Sequence, residues 1–224
     1  DAIDQQVLDV LKSHHVTAIE LGAQSMDREV LALNRRGHTP EDTCRAAGLI
    51  RGAGIELGLQ MMTGLYKDTD EKAIETARQL IALTPATVRI YPTIVLAGTE
   101  LAKLYEAGVY RPQELWQAVE LCGRLLGMFE AAGIRVIRLG LHAGQELEDR
   151  RVAGPYHPAF RQLCESKMYL DSLLARLEKT GPGDYTVEVE PRMISTALGQ
   201  GKRNLKELER RGYNVTFKQK RPYA

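Results

Sequence analysis

The sequence lacks several features that would assign it directly to a class of protein. None of its 224 residues lie in an apolar run long enough to cross a membrane as a helix, so no membrane partner is expected. Only three cysteines are present, Cys44, Cys122 and Cys164, and they are widely spaced. This pattern predicts three buried thiols in a reducing cytoplasm rather than a disulfide framework. It also excludes the CxxC and CxxxCxxC motifs of zinc and iron–sulfur sites.

Familiar catalytic motifs are missing as well. The chain has no GxSxG, no phosphate-binding loop and no paired carboxylates at one predicted strand end, and its five histidines are too dispersed to predict a metal site. The net charge of +1 argues neither for nor against a nucleic-acid partner. With 44% hydrophobic and 26% charged residues, the composition is that of an ordinary globular protein.

What the sequence does contain is a repeated strand–helix unit. Apolar segments near residues 17–22, 55–62, 87–91 and 134–141 are predicted strands. Helical periodicity predicts the elements between and around them, at residues 2–12, 27–34, 40–51, 71–83 and 112–132. Strands alternating with helices favour an α/β fold with parallel pairing. At this level a barrel and a doubly wound sheet fit equally well.

Local signals suggest where elements begin and end. Thr39 and Pro40 are typical of a helix start, and Asp70 is predicted to cap the helix at 71–83. Residues 144–157 are polar and hold Gly-Pro and His-Pro steps, which predicts a loop. We expect a repeated-unit domain at 1–145, a connecting loop and helix at 146–180, and a small α+β subdomain at 181–224.

Parallel α/β folds bind ligands at the carboxyl ends of their strands. The residues there are mostly small or amide-bearing, with almost no charge: Gly22, Gln24, Gln60, Gly64, Tyr91, Gly140 and His142. They suit a polar, nucleoside-like ligand, or they simply close tight turns. Arg36 follows the first strand end and either pairs with a ligand carboxylate or is a solvated cation at a helix end. Both alternatives stay open for the strand-end residues, and both stay open for Arg36.

Four segments, taken in order, resemble a known family. They are Glu-Leu-Gly-Ala-Gln-Ser-Met-Asp at 20–27, Asn-Arg-Arg-Gly-His-Thr at 34–39, Gln-Met-Met-Thr-Gly-Leu at 60–65 and Arg-Ile-Tyr-Pro at 89–92. They resemble the later strands of radical S-adenosylmethionine (SAM) enzymes, in the branch that holds oxygen-independent coproporphyrinogen oxidase and the catalytic subunit of Elongator. The resemblance implies the later βα units of a partial TIM-type barrel.

The resemblance also implies roles for individual residues. Gln24 and Arg36 would contact SAM, Arg36 at its carboxylate, and Gln60 would reach the ribose, with Gly22, Gly64 and Tyr91 around them. The family's CxxxCxxC motif, which holds a 4Fe-4S cluster, is absent, and Tyr66 replaces the proline of a Gly-Leu-Pro strand end. We therefore expect the cluster ligands upstream of this chain, which is not a competent oxidoreductase as written. Missing strands would leave an open sheet edge, so self-association is expected.

The end of the chain makes a second resemblance. Residues 193–205 resemble the helix–loop–helix of a KH RNA-binding domain, whose GxxG loop clamps a nucleic-acid backbone. The nucleic-acid contacts would fall on Gly199, Gln200, Gly201, Lys202 and Arg203, although Lys202 replaces the second glycine of the motif. Further cations follow, namely Lys206, Arg210, Arg211, Lys218, Lys220 and Arg221. The alternative function is thus an RNA-binding module or scaffold without catalysis; a solvated basic helix also fits.

Overall fold

The computed structural model describes residues 3–142 and 144–220. The chain divides into two compact units, Asp1–Pro158 and Ala159–Ala224. The expected partition at 145 and 180 stays a prediction, and Arg221 of the predicted basic cluster lies outside the described residues.

The strands are numbered in chain order. They are β1 (Ala18–Gln24), β2 (Glu56–Thr63), β3 (Thr87–Pro92), β4 (Val95–Leu96), β5 (Arg135–Leu139), β6 (Arg151–Ala153), β7 (Gly183–Val189) and β8 (Tyr213–Gln219). The helices of the first unit are α1 (Gln5–Ser13), α2 (Arg28–Leu33), α3 (Pro40–Gly52), α4 (Asp70–Ala82), α5 (Glu100–Glu106), α6 (Leu115–Ala131) and α7 (Gln145–Arg150). Those of the second unit are α8 (Phe160–Leu177), α9 (Ile194–Leu198) and α10 (Arg203–Arg210), with 3₁₀ turns at Pro191–Met193 and Gln200–Lys202.

A four-stranded sheet forms the centre of the first unit. Its strand order is β1-β2-β3-β5, and all three pairings are parallel. Strands that follow one another in both sequence and space, with helices as connections, are the arrangement of consecutive barrel units. The predicted α/β class with a parallel sheet is confirmed.

One face of this sheet is apolar and packs against helices. Leu59 and Met61 of β2 and Val88 and Ile90 of β3 are fully buried. Helices α3, α4 and α6 pack on these strands. The opposite face is partly exposed and is called here the open face; its residues alternate with the buried ones, as the two-residue period of a strand requires.

Helix caps explain how the connections begin. Thr39 accepts from the backbone N–H of Asp42, whose carboxylate accepts from the N–H of Thr39 in return, and Pro40 takes the first helical position of α3. For α4 the predicted cap was wrong by one residue: the hydroxyl of Thr69 accepts from the N–H of Lys72, so Thr69 is the cap.

Two other sequence predictions need correction. Residues 144–157 are not a loop throughout, because α7 lies there and β6 pairs antiparallel with β4. The turn signals were real only at the end of the segment, where Gly154 has a φ of +108°. The prediction of three buried thiols was wrong for one of them, since Cys44 is exposed while Cys122 and Cys164 are buried.

Among residues 3–142 and 144–220, no helix is long and apolar enough to cross a membrane.

The second unit is built from two parallel strands and three helices. β7 and β8 pair along their full lengths, and α9 and α10 connect them. Leucines of α8 form its core with Leu208 and Tyr213. The amide nitrogen of buried Asn204 lies within 3.2 Å of backbone oxygens of Ser166, Thr196 and Ala197, and so ties α10 to α8 and α9.

Candidate functional site at the strand carboxyl ends

The carboxyl ends of β1 and β2 bring two glutamines together. Gly22 pairs with Gln60 across the strands, and Gln60 Nε2 donates to Gln24 Oε1 at 3.2 Å. Gln24 is 6% exposed and has a φ of +62°, which is uncommon for a residue other than glycine. Among the described residues, Gln24 Nε2 and Gln60 Oε1 have no further hydrogen-bond partner. The pair therefore keeps one donor and one acceptor for a polar ligand.

Gly22 provides the space that this pair occupies. A Cβ placed on Gly22 would lie 2.5 Å from Gln24 Nε2, closer than real side chains approach. The register shift between Gly22 and Gln24 lets the glutamine fold back over the glycine. A side chain at position 22 would therefore displace the amide.

The loop after α2 carries Arg36 and is anchored by His38. One ring nitrogen of His38 lies 3.0 Å from the carbonyl oxygen of Arg36, and the other lies 3.0 Å from that of Ala23 in β1. The imidazole thus links the Arg36 segment to the strand that carries Gln24. The Arg36 side chain is exposed and has no carboxylate partner within the described part of the chain.

Asn34 connects the same loop to the end of β2. Its Nδ2 donates to the carbonyl oxygen of Tyr66 at 2.9 Å, and its Oδ1 accepts from the N–H of Tyr66 at 3.1 Å. One side chain therefore satisfies both backbone groups of Tyr66, the residue that replaces the family proline. Neither Asn34 nor His38 was assigned a role from the sequence, because side-chain bonds to a distant backbone leave no local pattern.

Gly64 belongs to a more charged neighbourhood than the sequence predicted. Its N–H donates to Asp68 Oδ2 at 2.9 Å, and its carbonyl oxygen accepts from the hydroxyl of Tyr110 at 2.6 Å. Asp68 and Asp70 both line a cavity of about 350 Å³ here. Burial raises the pKa of Asp68 to about 6, although two backbone N–H bonds oppose the shift. Burial also raises the pKa of the Tyr110 hydroxyl.

The open face between these strand ends is charged. Arg89 Nε donates to Glu20 Oε2 at 2.7 Å, and Arg89 Nη1 lies 3.5 Å from the hydroxyl of Tyr91. Tyr91 is thus one strand beyond the glutamine pair and contacts Arg89. The expectation of almost no charge at this end of the sheet was wrong; it counted the last residue of each strand and missed those that share its face.

The cysteines do not fit an iron–sulfur cluster. Cys122 is fully buried, and burial raises the pKa of its thiol to about 12, so it stays protonated. Cys44 is exposed, and Cys164 belongs to the second unit. In the described ranges no three His, Cys, Asp or Glu side chains are placed to hold a metal ion.

The second unit holds the predicted nucleic-acid residues in one turn. Gly199, Gly201 and Lys202 all have positive φ, and a Cβ on Gly199 would lie 3.0 Å from the side chain of Asn204. Several of the neighbouring cations are already paired: Arg210 and Arg211 with Glu207, and Lys220 with Glu190. These ion pairs reduce the positive charge available for a nucleic-acid backbone.

Family models match most of the chain. The model of the radical SAM superfamily matches residues 1–80, and that of the radical SAM C-terminal domain matches residues 85–170. The tRNA uridine(34) acetyltransferase of Methanocaldococcus jannaschii is 33% identical over 108 residues, which are 47% of this chain and 20% of that protein. Human Elongator complex protein 3 is 31% identical over 115 residues, or 50% of this chain and 21% of the relative.

A solved structure has the same fold over a large part of the chain. Elp3 of Methanocaldococcus infernus, with its N-terminus deleted, superposes with a TM-score of 0.70 and 24% identity. The match covers 76% of this chain and 40% of that one. The chain spans about a fifth of the length of the curated relatives named above. The two consecutive family models place residues 1–80 and 85–170 of this chain in the radical SAM superfamily.

Proposed function

We propose that this chain is the SAM-binding part of a radical SAM enzyme. The observation that carries the proposal is the Gln24–Gln60 amide pair above Gly22, with one donor and one acceptor still available. The loop fixed by His38 presents the guanidinium of Arg36 as the partner for the carboxylate of SAM.

The residues present fit SAM but not the cluster. Amides suit a ribose or an adenine edge, and an arginine without a carboxylate partner suits the methionine moiety. A 4Fe-4S cluster, where bound, supplies the electron for reductive cleavage of SAM. We place its ligands outside this chain, because the buried thiol of Cys122 and the exposed one of Cys44 form no ligand set.

Titration calorimetry with SAM tests the assignment of Arg36. The variant Arg36→Met should weaken SAM binding by about 1.5–3 kcal/mol, the usual size of a charged hydrogen bond. Arg78→Met is the matched control, because Arg78 is an exposed arginine of α4 whose guanidinium pairs with Glu75 at 3.2 Å. The control should bind SAM as the parent chain does.

A ligand that lacks the carboxylate makes this test specific. Decarboxylated SAM should bind the parent chain and Arg36→Met with similar affinity, since the group that Arg36 contacts is missing from it. An equal loss for both ligands would mean that Arg36 acts by shaping the loop. Unchanged SAM affinity in Arg36→Met would overturn the assignment.

For the substrate we propose an RNA nucleoside. The support is the likeness to the tRNA uridine(34) acetyltransferase named above, whose substrate is a tRNA uridine, together with the charged open face. The alternative of an RNA-binding module that uses Gly199–Arg203 without catalysis has less support, because neighbouring cations are paired with Glu207 and Glu190. It predicts RNA binding that falls steeply with salt and is lost in Lys202→Gln. Salt-insensitive binding would count against it.

A further inference from the structure

A β-bulge sets the register between β3 and β5. Val88 pairs with Val136, but the next pair is Arg89 with Arg138. β5 therefore contains one extra residue, Ile137, at this point. In a regular register without the bulge, Arg89 would lie beside Ile137, and Arg138 would lie beside Ile90. Bulges of this kind change the direction of a side chain, and they are frequent near active sites.

The bulge places two arginines side by side on the open face. The next pair, Ile90 with Leu139, is buried among the helices. Because neighbouring residues of a strand point to opposite faces, Arg89 and Arg138 share the open face. Like charges that lie directly opposite each other on adjacent strands destabilise a sheet. A bound anion would therefore stabilise this arrangement.

Only part of this charge is neutralised by the protein. Glu20 accepts from Arg89, whereas Nη2 of Arg138 lies within 2.6 Å of both ring nitrogens of His142. Over residues 3–142 and 144–220, Arg138 has no carboxylate partner. Arg135 pairs with Thr87 further down the sheet, and Glu56 lies near the amino end of the face.

We propose that Arg89 and Arg138 form a subsite for a phosphate group of the substrate. Gly22, Gln60, Arg89 and Arg138 are successive partners across four strands. With strands about 4.8 Å apart, Arg138 lies about 10 Å from Gln60 along this row. This inference rests on the proposed function, because it assigns the arginine end of this row to the substrate and the glutamine end to SAM. Two guanidinium groups match the oxygens of a phosphate ester.

The test compares uridine 5′-monophosphate with uridine, by calorimetry and by the shift in melting temperature that each ligand causes. The monophosphate should bind at least about tenfold more tightly, as a charge-assisted hydrogen bond implies. The variants Arg138→Gln and Arg89→Gln should bind both ligands equally. Arg78→Gln, which removes an arginine from outer helix α4, should keep the full preference.

Two sources of phosphate are separated by a third probe. If the monophosphate alone shows the preference, the subsite holds a terminal phosphate. If only a short single-stranded RNA binds in a manner that depends on Arg138, the subsite holds a backbone phosphate. Both results support a phosphate subsite. Equal binding of nucleotide and nucleoside, with RNA binding unaffected by Arg138→Gln, would overturn it.

The melting temperature of the unliganded variant gives a second check. Arg138→Gln should melt at the same temperature as the parent or slightly above it, since it removes a like-charge contact. A marked decrease would indicate a structural cation and would overturn the proposal. SAM affinity should be unchanged in this variant. If the parent chain does not bind SAM but still prefers the monophosphate to uridine, the proposed function alone is refuted.

Discussion

The two faces of the four-stranded sheet are built from the same strands but follow different physical rules. The helix-covered face buries Leu59, Met61 and Ile90 completely. The open face carries Gln60 and Arg89 from the same two strands, one residue out of phase. The first face gains stability from apolar burial, while the second holds polar groups in positions that burial alone would not select.

This difference separates residues that fold the chain from residues that bind a ligand. On the covered face, close packing fixes side chains by volume. On the open face, single contacts fix them: Glu20 positions Arg89, Gln24 positions Gln60, and a bulge positions Arg138. Substitutions on the two faces should therefore affect different measurements, stability on one and binding on the other.

The largest effect is expected on the covered face. Leu59→Ala should lower the free energy of unfolding by about 2–5 kcal/mol, because it leaves a cavity in a fully buried site. Chemical denaturation measures this directly. Under conditions in which the variant is fully folded, its SAM affinity should equal that of the parent chain. A large loss of affinity at full folding would show that the faces are not independent.

Asp68 should produce the next largest effect, through pH. Its folded pKa of about 6 lies above the ordinary value of 3.8, so the folded state binds this proton more tightly than the unfolded state does. The contribution of Asp68 to the unfolding free energy should therefore fall by about 1–3 kcal/mol as pH rises from 4 to above 6, and should recover on acidification.

The variant Asp68→Asn isolates that contribution. Its unfolding free energy should lack this dependence, so the difference between parent and variant should change with pH between about 4 and 6. A constant difference across this range would show that the carboxylate is hydrated as in water. The other carboxylates cancel in the comparison, because both proteins contain them.

The sequence predicted the covered face better than the open one. Apolar runs such as residues 55–62 mark a buried strand, because burial on a sheet needs only a hydrophobic pattern. Family segments located Gln24, Arg36 and Gln60, and the structure brings Gln24 and Gln60 together. The sequence could not show the Arg89–Arg138 pair, which depends on a one-residue bulge between two residues 49 positions apart in the chain.

Charges in the strand–helix connections were hidden for a related reason. Asp68 looks like an ordinary loop residue in sequence, and only its burial in the neighbourhood of Gly64 and Tyr110 changes its chemistry. The exposure of Cys44 was missed because cysteine is usually a buried residue and α3 places this one on its outer side. Local patterns carry no information about such tertiary surroundings.

A smaller effect on stability, but a clear one on binding, is expected at Gly22. Gly22→Ala should weaken SAM binding several-fold, the range of one lost neutral hydrogen bond, because the new methyl group displaces the Gln24 amide. Gly48→Ala is the matched control: Gly48 lies within α3, where a Cβ has open space, and alanine should stabilise the helix by about 0.5–1 kcal/mol. Equal SAM affinity in the two variants would contradict the assignment of Gln24.

The smallest change in stability is expected for the ion pair of the open face. Glu20 and Arg89 are each 32% exposed, so Glu20→Gln should cost less than about 1 kcal/mol of unfolding free energy. The same variant should strengthen nucleotide binding while it slightly weakens stability, because it leaves Arg89 and Arg138 with less opposing charge. Uridine 5′-monophosphate should then bind more tightly than to the parent chain, whereas uridine should not. Weaker nucleotide binding in Glu20→Gln would mean that the carboxylate matters chiefly by orienting Arg89, so the open face would depend on side-chain geometry more than on net charge.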